Sequence, residues 1–232
     1  MIYFNGQALE NVAPVKIEDI RVSPIIQAPV TRDRPLQAGA NFIRAHEGTR
    51  TVNITFSILE QDYDRRQRHI EAVTEWALTD KPAPMQLPYR QGKLLDVICT
   101  QLPEPSTRQW WEVRLSLTFT ANDPFFYTEV ERSIECGSAF TVFGSAPPLM
   151  RIVHTFSAST DDVSYSDGTD TMTFSTVPAG DLEIDLNKQT AAVDGTSIMS
   201  AYGLTSHFLV PRLGPQTITG TGTVKWRERW QA

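Results

Sequence analysis

Thr51-Val52-Asn53-Ile54-Thr55-Phe56-Ser57-Ile58 decides the fold class of the first part of the chain. Val52, Ile54, Phe56 and Ile58 fall on one side of an extended backbone. Thr51, Asn53, Thr55 and Ser57 fall on the other. The stretch Trp111–Thr120 repeats the pattern, with Trp111, Val113, Leu115, Leu117 and Phe119 opposite Glu112, Arg114, Ser116, Thr118 and Thr120. Period-two alternation of β-branched and aromatic residues predicts two half-buried strands. Each large side chain so buried contributes about 1.5–3 kcal/mol before entropy is subtracted.

Between the two strands the period changes to that of a helix. Asp62 is placed to cap it and Asp64 to complement its dipole. Ile70, Val73 and Ala77 then follow at helical spacing, with Trp76 and Leu78 beside them, and Asp80-Lys81-Pro82 ends it. Arg65, Arg68, Glu71 and Glu75 take the opposite face, so the segment reads as one helix packed across a sheet. Upstream, residues 28–50 are polar and proline-punctuated. They are long for a connection and read as a surface loop or as an arm contacting another subunit.

The second part of the chain has another composition. Residues 1–135 hold 15 Lys/Arg and 18 Asp/Glu, whereas residues 136–224 hold only 3 and 8, and residues 225–232 hold 3 and 1. Ser plus Thr rises from 16 in the first segment to 24 in the second. The change falls just before Gly144-Ser145-Ala146-Pro147-Pro148, which reads as a linker. The expected domains are therefore 1–135, with a helix, and 136–223, all β. The alternating stretch 224–232 resembles the first part in charge and reads as a terminal strand, for which a return to the N-terminal domain is one of the open placements. In the β part, Asp167-Gly168 and Asp194-Gly195 are hairpin dipeptides. Strands are expected at Met150–Phe156, Thr171–Thr176, Leu182–Leu186, Thr190–Val193, Phe208–Val210 and Gln216–Thr219. This spacing predicts a sandwich or barrel. The fold class is mainly β.

Chemistry finds little support. The net charge of −6 implies no general affinity for nucleic acid. No apolar run approaches the roughly 20 residues of a membrane span, and Met1-Ile2-Tyr3-Phe4-Asn5-Gly6 lacks the basic, then apolar, pattern of a secretory leader. His46, His69, His154 and His207 stand singly, without ligand-pair spacing, so no metal is expected. Cys99 and Cys136 read as two reduced thiols. No serine lies in a nucleophile elbow. Asp181, Glu183 and Asp185 share one face of a strand whose other face is Leu182, Ile184 and Leu186, which makes them its solvent side. Asp161, Asp162, Asp167 and Asp170 surround Gly168, but Val163, Tyr165 and Phe174 occupy positions where a calcium loop needs ligands. Asn53-Ile54-Thr55 is a chance glycosylation triplet inside a strand. Gly220-Thr221-Gly222 lacks a dinucleotide loop's third glycine and reads as a turn into the last strand. Neither catalysis nor a cofactor is expected.

The order of short motifs is more informative. Tyr3-Phe4-Asn5-Gly6 is followed by the polar arm, Gly48-Thr49-Arg50, Glu75-Trp76-Ala77 and Pro88-Tyr89-Arg90. Then come Leu117-Thr118-Phe119-Thr120-Ala121-Asn122-Asp123-Pro124-Phe125-Phe126-Tyr127 and finally Trp226-Arg227-Glu228-Arg229-Trp230. This order, over nearly the whole chain, resembles the distal tail proteins (Dit) of long-tailed, siphovirus-type bacteriophages. The resemblance implies a structural virion protein with a β-sandwich or split-barrel-like N-terminal domain carrying one helix. Six copies would form a ring at the distal end of the tail, joining the tail tube to tail-tip or baseplate proteins around a channel that DNA crosses in transit. It implies synthesis in the host cytoplasm, no membrane insertion, and a C-terminal sandwich or barrel, galectin-like or smaller. At about 90 residues the second part is small for the galectin form. The galectin likeness raises an alternative, a carbohydrate-binding module for host surface glycans, although residues 136–224 contain no tryptophan to stack on a sugar. Candidate contacts with subunits or partners are Arg32 and Arg34 in the arm and the adjacent aromatics Phe125, Phe126 and Tyr127. An acidic channel lining would let DNA pass without sticking.

Overall fold

A computed structural model describes residues 1–25, 27–33, 40–103 and 105–231. Contacts gather the chain into two compact units, Met1–Phe126 and Tyr127–Ala232. The first contains β1 (Tyr3–Phe4), β2 (Gln7–Ala8), the single turn α1 (Leu9–Val12), β3 (Val15–Val22), β4 (Gln27–Asp33), β5 (Ala40–Glu47), β6 (Arg50–Leu59), α2 (Tyr63–Ala77), β7 (Ala83–Gln86), β8 (Lys93–Gln101), β9 (Ser106–Gln109) and β10 (Glu112–Ala121). A short strand, β11 (Phe126–Thr128), spans the division. The second unit contains β12 (Arg132–Glu135), β13 (Ala139–Val142), β14 (Ala146–Phe156), β15 (Thr160–Ser166), β16 (Thr171–Val177), β17 (Gly180–Asp185), β18 (Thr190–Val193), β19 (Thr196–Ser197), β20 (Gly214–Thr217) and β21 (Thr223–Trp230). The chain is mainly β, as its alternating segments predict.

In the first unit the two deciding stretches are β6 and β10, antiparallel over their full length, with Phe119 opposite Val52 and Leu117 opposite Ile54. β3 pairs with the free side of β6. β9 and β8 share the far side of β10, one along each half. β7, β1 and β2 continue outward from β8. Val52, Ile54, Phe56 and Ile58 are fully buried, as are Leu117 and Phe119. The helix is where the spacing places it. The Asp62 carboxylate accepts the Arg65 backbone N–H at 2.9 Å and is thereby held below the ordinary carboxylate range. Val73, Trp76 and Ala77 are buried, but Leu78, expected on the same face, is the extended C-cap residue and is exposed. Phe4, Trp76 and Phe119 meet edge to face, which ties the first strand, the helix and β10 into one core. The arm forms a β4–β5 hairpin, with the backbone of Arg32 opposite Asn41. Arg34 lies outside the described residues.

In the second unit β19, β18, β17, β14, β21 and β12 lie side by side, all antiparallel. The inner face of this sheet shares one apolar core with the β15–β16 hairpin and the β13–β20 pair. Two features depart from expectation. Pro147-Pro148, read as a linker, lies inside β14. The register shifts between Ala146 and Leu149, so the missing proline N–H groups leave no ladder bond unmade. Arg229 and Asn187 donate to the two proline carbonyls. Phe208–Val210 is not a strand: Leu209 is buried and Phe208 stacks on Tyr202 at 4.8 Å. β21 pairs with β14 and with β12, with Val224, Trp226 and Glu228 facing inward. β12 belongs to this sheet too, which is why the division falls at Phe126 rather than at the change of composition.

Tyr165 supplies a pH-dependent term to this core. Its ring and its hydroxyl are both shielded from solvent. Burial pushes the phenol up from 10 to about 12, although Thr221 close by draws it slightly back. The unfolded chain loses this proton near pH 10 and the folded chain does not, so stability falls as pH rises from about 10 to about 12. The full loss is about 2–3 kcal/mol. Tyr165→Phe should fold as well as the wild type at pH 7. Its advantage in denaturant midpoint should grow between pH 10 and 12, and equal alkaline losses in both proteins would refute this account.

Candidate functional site

Phe125, Phe126 and Tyr127, the aromatics expected as contacts with subunits or partners, are all buried within the chain. Three consecutive side chains cannot point into one core from a regular strand. Here the chain turns at Asp123-Pro124 and guanidinium groups cover the rings. In the first unit Arg50 and Arg90 sit over Phe126 at 5.3 and 5.4 Å from its centroid. In the second, Arg227 sits over Tyr127 at 5.5 Å. Such contacts contribute about 0.5–2 kcal/mol each. Arg50 is buried, and desolvation, with Arg90 near it, lowers its pKa. Arg50 and Arg90 brace the exit of β10 in the first unit.

The first unit's sheet has one apolar face and one hydroxyl- and amide-rich face. The second carries Asn53, Thr55, Ser116, Thr118, Thr100 and Gln101. The Thr118 hydroxyl donates to the Asn53 carbonyl at 2.8 Å, and Thr100 and Thr120 hydroxyls meet at 3.0 Å. Two of its arginines are matched by carboxylates. Arg21 pairs with Asp19, and Arg114 Nε lies 2.9 Å from Glu18, which also accepts the Ser57 hydroxyl. Ser57 is on this face, as its period requires, but it is buried beneath that pair. A shallow hollow of about 480 Å³ lies here between Asp19, Arg21, Asn53, Thr55 and Arg114.

At the β6–β10 end beside the start of α2, two aromatic rings face solvent. Trp110 and Tyr63 are each 68% exposed, with Leu59 next to them at 43%. Arg66 fixes their arrangement. Its guanidinium donates to the carbonyls of Trp110 and Glu60 and lies 5.4 Å from the Tyr63 ring centroid. Nothing in the sequence marks this cluster, since exposure cannot be read from residue type.

In the second unit, Glu135, His154, Thr155, Asp181, Glu183 and Thr223 line a hollow of about 490 Å³ on the sheet's outer face. Asp181, Glu183 and Asp185 are its solvent-side residues, as their alternation with Leu182 and Ile184 predicts. The groups are already engaged with one another: Thr155 donates to Asp181 at 2.7 Å, Thr223 to Glu135 at 3.1 Å, and Arg151 to Glu183 at 2.9 Å. No phenyl or indole face lines the hollow to receive a sugar. Arg151 also grips Glu131 through two donors, at 3.1 and 3.0 Å, which pins the segment before β12 to β14. Among the described residues no three His, Cys, Asp or Glu side chains lie close enough to hold a metal ion, and no helix is long and apolar enough to cross a membrane. Cys99 and Cys136 are free.

Comparison with solved structures finds the Dit protein of phage SPP1, described as a paradigm of the hub adsorption apparatus in phages that infect Gram-positive bacteria. The match has a TM-score of 0.78 at 16% identity and covers 98% of each chain. This chain has a fold similar to that of SPP1 Dit. The fold implied by the sequence resemblance is thus the one observed, along the whole chain. Two structures of the phage P2 baseplate in its activated conformation, with calcium and with strontium, also match. Their TM-scores are 0.48 and 0.45 at 7% and 8% identity, covering 92% and 94% of this chain and 90% and 91% of the others. No protein-family model and no curated protein sequence matches the chain.

Proposed function

We infer that the chain is a structural protein of a phage tail, a Dit-like hub at its distal end. The observation that carries this reading is the likeness to SPP1 Dit across 98% of both chains. Its role is assembly rather than turnover. Six copies close into a ring through heterologous contacts, which succeed only when the rotation per subunit is right. The ring joins the tail tube to tail-tip or baseplate proteins around a DNA channel. The first unit forms the ring and the second stands as an attachment platform. The hydroxyl- and amide-rich face of the β3–β6–β10 sheet suits the channel wall, because its arginines are neutralised by Asp19 and Glu18 and offer phosphates no counterion release. That refines the acidic lining to one without net attraction. The arm, with Arg32 and Arg34, contributes subunit contacts.

Light scattering of the purified protein, with negative-stain images, tests this. The expected result is a closed ring with the mass of six chains. An Arg32→Ala/Arg34→Ala double variant is expected to fail to close it, and an unchanged mass would remove the arm's arginines from the contact.

A further inference from the structure

We draw no further inference here: the strongest candidate, the surface patch of Trp110 and Tyr63 rings that Arg66 holds beside the start of α2, carries nothing because no feature of the structure shows what covers it.

Discussion

Phe119→Ala is expected to lower the stability of the first unit by about 3–5 kcal/mol, the range for removing a buried aromatic. Phe119 is fully buried and touches Phe4 and Trp76 edge to face, at centroid distances of 5.1 and 6.2 Å. Phe4 and Trp76 meet each other at 5.5 Å. The three rings come from a two-residue strand at the chain's start, the last helical turn and the end of β10. Truncating Phe119 therefore leaves a cavity at the place where three distant segments are joined. Each aromatic pair adds about 0.5–1.5 kcal/mol beyond area burial, and this residue makes two. Against a typical net stability of 5–15 kcal/mol the loss is about a fifth or more. Denaturant unfolding followed by circular dichroism should show the transition of the first unit displaced and that of the second kept. A shift below about 1 kcal/mol would mean that the rings are not the keystone described here.

Gly222→Ala is expected to destabilise the second unit strongly. Gly222 has φ +100°, and a Cβ there would lie 2.4 Å from the Val153 carbonyl oxygen and 2.7 Å from His154 Cβ. The obstacle is backbone of the neighbouring strand, which cannot step aside without pulling β14 from β21. The Gly222 carbonyl also accepts the Cys136 N–H at 2.9 Å, so moving the turn strains a second attachment. Conformational strain of about 1–3 kcal/mol adds to the clash, giving an expected loss of about 3 kcal/mol or more. Gly168 provides the control. It has φ +85°, but a Cβ there meets nothing within 4 Å. Gly168→Ala should cost only the conformational part, about 1 kcal/mol. Equal losses at the two positions, measured as denaturant midpoints, would show that the close approach at Gly222 is not what matters.

These two sites differ in how far the sequence discloses them. β6, β10 and α2 were legible because one face of each meets a core and the other meets water, which writes period two or 3.6 into the residues. Asp62 was legible as a cap because its chemistry is local. β12 and β15 were not, since Arg132–Glu135 and Thr160–Asp162 are polar edge segments whose strand state comes from their partners. Pro147-Pro148 misled for a related reason: proline forbids a ladder bond only where one is due, and the irregular register supplies a place where none is. The aromatic triplet at Phe125 was visible, but its burial depends on Arg50, Arg90 and Arg227, which are distant in sequence. The exposed cluster at Trp110 could not be found at all without knowing where the chain stops covering itself.

The place of β21 bears on how the protein is made. It completes the second unit's sheet between β12 and β14, yet it follows β14 by almost 70 residues. During synthesis the first unit has all its strands while the second still lacks an interior one. Until Thr223–Trp230 emerges, β12 and β14 each present an open hydrogen-bonding edge, the kind of surface that recruits another chain. The nascent second unit is therefore the interval of greatest aggregation risk, and a polypeptide interrupted before Thr223 would carry that risk permanently.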